Sequence, residues 1–267
     1  MQTPKQGIYW LPNMLTTAAL FCGFYAIIAG VNQQFEQGAI AIFIAMVFDA
    51  LDGRVARMAN ATSEFGAEYD SLSDMVSFGI APAMLVYSWG LNELGKFGWV
   101  AAFIYVAAAA LRLARFNTQV GIADKRYFQG LPSPAAAGVL ASFVWIMGDA
   151  SFSQITVVFV SLLTIAAGLL MVSNFRYHSF KEFKLKDRVP FITMLLLVGV
   201  AIIILIDPAT LLFLILFVYA ASGLVVTIWG LKERRSLRQK TKQTADSSQD
   251  NKSQSAQDKS VQFTELQ

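Results

Sequence analysis

Phe48-Asp49-Ala50-Leu51-Asp52-Gly53-Arg54-Val55-Ala56-Arg57, followed after a short break by Gly66-Ala67-Glu68-Tyr69-Asp70-Ser71-Leu72-Ser73-Asp74, is the stretch on which the fold turns. The first part closes an apolar run that starts near residue 37, and the second opens another that ends near residue 91. Each run has about the 20 residues that an α-helix needs to cross a bilayer. If both are helical, Asp49 and Asp52 are i,i+3 neighbours on one face, and Asp70 and Asp74 are i,i+4 neighbours on another. The connection is short, so the two faces can meet and four carboxylates converge near the membrane boundary.

Carboxylates so placed repel one another, and each costs about 3 kcal/mol near the hydrocarbon. A cation must neutralise them. All-oxygen ligation points to a hard divalent ion, Mg²⁺ or Mn²⁺, and four carboxylates suit two ions better than one. Paired metals typically clamp a phosphate during in-line displacement. Gly53 and Ala56 lie one turn after Asp49 and Asp52 and leave that face open, Gly66 allows close backbone approach, and Arg57 offers a forked permanent cation. The bland alternative is a set of interfacial acids bridged to Arg54 and Arg57.

Outward from this stretch, the chain of 267 residues is 55% hydrophobic and only 15% charged, with 21 Phe, and its mean hydropathy is +0.51. Soluble domains carry roughly 25% charged residues, so the balance points to a membrane protein. Apolar segments fall near 12–31, 37–57, 71–91, 97–116, 132–149, 153–173, 189–206 and 209–230. The expected fold is all-α, a polytopic transmembrane bundle of about eight helices. With the N-terminus in the cytosol, 20 of the 21 basic residues face the cytosol and only Lys96 lies outside. The positive-inside rule then places both termini in the cytosol.

Residues 1–231 read as the membrane-embedded domain, and 232–267, rich in Ser, Gln, Lys and Asp, as a disordered tail. Its basic first half is either a stop-transfer flank or a contact with anionic membrane lipids. Cys22 is the only cysteine and His178 the only histidine. That argues against a disulfide framework, a Cys-based zinc site and a Ser-His-Asp triad; His178 reads as an interfacial polar residue. No A-x-A-like cleavage site follows Met1–Trp10, so a cleavable signal peptide is not expected. A net charge of +3 is too small to imply a nucleic-acid partner.

The spacing Asp49-x2-Asp52-Gly53-x2-Ala56-Arg57-x8-Gly66-x3-Asp70-x3-Asp74 resembles the complete signature of the CDP-alcohol phosphatidyltransferases. The resemblance implies that the four aspartates hold two divalent cations over the pyrophosphate of CDP-diacylglycerol, with Asp74 also the general base toward an alcohol. It further implies that Gly53, Ala56, Arg57, Ser63 and Gly66 line the nucleotide site. Asn13 and Thr16 match an Asn-x-x-Thr found there in many members; helix-start capping explains them equally well. The family also implies a homodimer in a prokaryotic inner membrane, with its active site facing the cytosol.

Three further stretches resemble the bacterial and archaeal members that use L-serine: Leu111–Asn117, Gly130–Gly138 and Met171–Tyr177. Serine brings a carboxylate and an ammonium, so Arg112, Arg115, Asn117, Asn174 and Arg176 are candidates for its pocket. Each Arg also reads as a positive-inside anchor, and each Asn as a helix C-cap. The segments 189–206 and 209–230 carry almost nothing ionisable and read as packing or dimer surface. Two rivals stand beside this reading. Glycerol-3-phosphate or an inositol phosphate as acceptor would demand a denser basic pocket. A cation transporter should instead spread its acids at mid-membrane depth over several broken helices.

Overall fold

A computed structural model describes residues 10–59, 63–119, 127–148, 153–178, 199 and 206–223, all within one compact unit, Met1–Gly223. The predicted tail 232–267 lies outside the described residues, as does the 189–206 segment apart from residues 199 and 206. Helices occupy the other seven predicted segments: α1 (Trp10–Val31), α2 (Phe35–Met58), α3 (Glu64–Asp74) leading into α4 (Ala81–Trp89), α5 (Lys96–Gln119), α6 (Ser133–Met147) and α7 (Gln154–Val172), then α8 (Pro208–Gly223). α1, α5 and α7 are long and apolar enough to cross a membrane.

From α1 to α7 the chain runs back and forth, with α3 and α4 sharing one direction, which gives the bundle two ends; α8 starts beside Gln33–Gln37 and so runs in the same sense as α7. Residues of 12–17, 52, 69–73, 112–117, 129–133 and 172–174 bond to one another at the first end. The other end gathers the reversal from α1 to α2, where Gln33 is left-handed at φ 61°, and the Trp89 indole, which donates to the Gly148 carbonyl at 3.0 Å. α6 runs through the middle, buried at every residue from Ala135 to Val144. Its Ala, Gly and Ser positions let α2 and α4 approach. Large apolar side chains such as Phe21, Phe24, Phe103, Leu162 and Leu169 point outward, as lipid-facing positions should. Two of the buried hydroxyls are satisfied within their own helices: Ser142 donates to the Gly138 carbonyl at 2.6 Å and Thr164 to the Val160 carbonyl at 2.8 Å.

Two features depart from the sequence-based expectation. The predicted 71–91 segment starts earlier, at Glu64, where the Ser63 hydroxyl caps α3 by accepting from the Gly66 amide at 3.0 Å. It is also not one regular helix: Met75–Ile80 forms a π-helical turn in which the Ala81 amide bonds to the Val76 carbonyl, five residues back. Pro82 supplies the reason, because it lacks the amide that the Phe78 carbonyl would meet in an α-helix, and its ring crowds that carbonyl. The second feature is a small antiparallel ribbon, Tyr127–Gln129 (β1) paired with Arg176–His178 (β2). Gly130 turns the chain from β1 toward α6 at φ +79°; a Cβ there would meet the Met171 carbonyl oxygen at 2.1 Å, so only glycine fits.

Candidate active site

Asp49, in the second half of α2, and Asp70 and Asp74, on one face of α3, offer carboxylate oxygens that all lie within 4.8 Å of one another. The buried Asp70 Oδ1 has no hydrogen-bond partner. A desolvated carboxylate oxygen without a donor is costly, and two further carboxylates close beside it add to that cost. The donor set therefore fits a hard divalent cation, for which clustered carboxylate oxygens are the preferred ligands.

Asp52 stands one turn from Asp49 and outside that group of three. Its Oδ2 accepts a hydrogen bond from the Thr16 hydroxyl at 2.8 Å. The Thr16 hydroxyl lies 3.1 Å from the Pro12 carbonyl as well, but the charged acceptor is nearer and holds the proton more strongly. Thr16 is thus buried inside α1 against Asp52, rather than at a helix start. The same turn of α1 holds α3: the Ser73 hydroxyl donates to the Thr16 carbonyl at 3.1 Å, and Thr17 and Tyr69 share a 2.8 Å hydroxyl contact. The Asn13 amide oxygen lies 3.7 Å from where a Gly66 Cβ would sit, at the Ser63 cap. Asn13, Thr16, Ser63 and Gly66 therefore meet at one corner of the aspartate cluster.

Gly53 and Arg57 share a face of α2. The Arg57 guanidinium nitrogens lie 3.5 and 3.9 Å from the position of a Gly53 Cβ, so the glycine gives the arginine a bed beside Asp52. Ala56 is half-buried on the same turn.

The candidate acceptor residues divide. Arg112 reaches inward: its Nη1 donates to the buried Ser133 hydroxyl at 2.7 Å, its guanidinium faces Asp74 and Asp49, and its buried Nε has no partner. Arg115, one turn on, already serves three neutral acceptors. It donates to the Val172 carbonyl at 3.3 Å, to Asn174 Oδ1 at 2.6 Å and to Gln129 Oε1. Asn117 Oδ1 accepts from the Ser71 hydroxyl at 3.1 Å, tying α5 to α3. Arg176 lies in β2, with its side chain outside the described residues. Sequence reasoning missed Ser133, Gln129 and Tyr69 as partners; the Gly130–Gly138 stretch was the one signal that could have pointed to Ser133. A separate cavity of about 650 Å³ at the other end of the bundle, between Gln33–Gln37, Trp145 and Asp207–Thr210, contains none of the candidate residues.

A family model described as CDP-alcohol phosphatidyltransferase matches residues 9–173. Among curated proteins, the CDP-diacylglycerol–serine O-phosphatidyltransferase of Helicobacter pylori is 36% identical over 183 residues, covering 68% of this chain and 77% of the relative. The protein of the same name from Bacillus subtilis is 33% identical over 175 residues, 65% of this chain and 92% of its own length. That of Methanocaldococcus jannaschii is 41% identical over 139 residues, 52% of this chain and 62% of its own. The matched span takes in the whole aspartate cluster together with Thr16, Arg57, Ser63 and Arg112, and on that basis the chain belongs to the CDP-alcohol phosphatidyltransferase family.

Proposed function

We propose that this chain transfers the phosphatidyl group of CDP-diacylglycerol to L-serine, releasing phosphatidylserine and CMP. The observation that carries the reading is the convergence of Asp49, Asp70 and Asp74, with a buried Asp70 oxygen that lacks any donor. The serine acceptor is supported by the names of the relatives and by the half-buried Arg112, whose buried Nε has no partner.

In this reading Asp49, Asp52, Asp70 and Asp74 hold two divalent cations, Mg²⁺ or Mn²⁺. When bound, these withdraw charge from the pyrophosphate and stabilise CMP as it departs. The chain's own residues do the rest. Asp74 accepts the proton of the serine hydroxyl as its oxygen attacks the phosphatidyl phosphorus and the bond from that phosphorus to the CMP oxygen breaks. One displacement completes the transfer, so no covalent enzyme intermediate is needed. Arg57, lying over Gly53, pairs with pyrophosphate oxygens, and Asn13, Ser63 and Gly66 form the nucleotide corner. Thr16 serves that corner by fixing Asp52. Arg112 meets the serine carboxylate, while Arg115, Asn117 and Asn174 shape the pocket wall through the contacts they already make, and Arg176 is the remaining candidate for the serine carboxylate.

The site lies at the end of the bundle that carries Arg54, Arg57, Arg112 and Arg115, and Lys96 starts α5 at the other end. That asymmetry supports a cytosol-facing site in a prokaryotic inner membrane. The enzyme works as a homodimer, with exposed apolar positions of α8 such as Leu214, Ile215 and Val218 available for packing. Transport is disfavoured because the acids gather at one end of the bundle instead of along a path.

The test is a comparison of acceptors. Detergent-solubilised protein is given CDP-diacylglycerol, a divalent ion and L-serine, glycerol-3-phosphate or an inositol phosphate, and CMP and lipid product are followed. Serine-dependent phosphatidylserine and CMP, abolished by a chelator, is the expected result. CMP release with a phosphorylated acceptor but not with serine would overturn the acceptor and keep the chemistry.

A further inference from the structure

We infer that Tyr105, which lies outside the aspartate motif, is a positioning residue for Asp74, acting through the π-helical turn that follows it. The inference rests on the reading of the aspartates as a divalent-cation site.

The π turn, Met75–Ile80, begins at the residue after Asp74. In a regular α-helix the Phe78 carbonyl would accept from the amide of residue 82, and Pro82 has none. Phe78 is fully buried, so no water can serve its carbonyl. The Tyr105 hydroxyl does so instead, donating to it from α5 at 3.0 Å. Tyr105 is itself fully buried, and α7 presses on its backbone: a Cβ on Gly168 would lie 3.1 Å from the Tyr105 Cα. On the opposite side the Ser77 hydroxyl donates to the Ala19 carbonyl of α1 at 3.0 Å. The turn is therefore gripped from both flanks.

The turn sets the phase of the residues before it. A π turn inserts one residue into the helix, and one residue is about 100° of rotation around the axis. Downstream, α4 is fixed by packing: Leu85 fills the space against Gly30 and Gly38 of α1 and α2, and the Trp89 ring meets Phe143 edge-on at 5.6 Å. With α4 held, relaxation of the turn to an α-helix would carry Asp74 and Asp70 about 100° around the axis and away from Asp49. The Tyr105 hydroxyl holds the alternative that Pro82 requires, and so keeps the two helices' carboxylates facing each other.

The experiment uses the full chain in detergent, with Mn²⁺ binding followed by its electron paramagnetic resonance signal in the absence of substrate. Thermal unfolding, kcat, and KM for CDP-diacylglycerol and L-serine are measured alongside. Tyr105→Phe keeps the ring and removes the donor. Pro82→Ala restores an amide to the Phe78 carbonyl and lets the turn relax. Both variants are expected to bind Mn²⁺ at least about fivefold more weakly, the loss expected when a buried carbonyl forfeits or exchanges its donor. Both should also lower kcat by about tenfold or more while KM for serine stays within about twofold. Pro82→Ala should do this with a melting temperature no lower than wild type, which a merely structural hydrogen bond would not produce. Wild-type Mn²⁺ affinity in Pro82→Ala would overturn the inference, whatever Tyr105→Phe does. Wild-type protein that binds no Mn²⁺ would overturn the metal reading and this inference together. Wild-type protein that binds Mn²⁺ but ignores serine overturns the acceptor alone, and the variant comparison still decides.

Discussion

Thr16 shows what a single hydroxyl can decide. It spends its proton on Asp52 Oδ2 at 2.8 Å in a buried position, and a hydrogen bond to a charged group of this kind is worth about 1.5–3 kcal/mol. Thr16→Val keeps the shape of the side chain and removes that donor. Phosphatidylserine formation by this variant is expected to fall about 10- to 100-fold, and Thr16→Ser should recover most of it. Equal rates for wild type and Thr16→Val in the same assay would show that Asp52 needs no such anchor. At this scale the sequence told much of the story. The aspartate spacing paired Asp49 with Asp52 and Asp70 with Asp74 on faces able to meet, because helical periodicity alone brings i,i+3 and i,i+4 residues to one face; Asp49, Asp70 and Asp74 do come together, and Asp52 stands outside that group. The partner of Asp52 was not legible. Thr16 is 36 residues away on another helix, and nothing in an Asn-x-x-Thr says which way its hydroxyl points. Arg115 was equally opaque: its three acceptors come from β1 and the end of α7, so a basic residue that reads as a substrate ligand proves to be tied to neutral groups.

Among the elements, α1 and the π turn approach closely enough to test. A Cβ on Gly23 would stand 2.5 Å from the Ser77 hydroxyl oxygen and 2.6 Å from the Ser77 Cα. Two effects compete in Gly23→Ala. Alanine favours the helix by about 1 kcal/mol over glycine, while overpacking a closed contact costs typically about 1–3 kcal/mol. Overpacking wins here, because the clash is with backbone that Ser77 cannot move without breaking its own bond to Ala19. The variant is expected to unfold at lower temperature than wild type in a thermal melt, and an unchanged or higher melting temperature would refute the contact. Helix existence was legible wherever the apolar runs are long: a helix overlaps each of the seven described segments, although the third starts at Glu64 and not near 71. The π turn was not, since a lone Pro82 reads as a proline in the first turn of a helix as readily as one that breaks the register of a longer helix. The β1–β2 ribbon was hidden for a different reason: three-residue strands joined across almost fifty residues leave no periodicity to detect.

For the whole molecule, the two ends of the bundle and the crowding of arginines at one of them make a topological prediction. Cys22 is the only cysteine, so a Cys22→Ser background accepts single reporter cysteines. In intact cells a membrane-impermeant maleimide should label a cysteine placed at Gln33, at the end opposite the aspartates, and should reach one at Glu64 only after lysis. The reverse pattern would place the site outside the cytosol. The architecture also explains why a chain so poor in charge keeps four aspartates: helices that are apolar elsewhere bring the acids to one end, where Arg57 and Arg112 lie beside them. That end is where the account places its chemistry, and Asp74 is its centre. The most direct measurement is the rate of phosphatidylserine formation from CDP-diacylglycerol and L-serine by Asp74→Asn against wild type, at saturating divalent ion. A loss of about 10²–10⁴-fold, the usual worth of a general base, is the predicted result. A rate within a few-fold of wild type would contradict the account, because the proton of the serine hydroxyl would then have to leave by way of some other group.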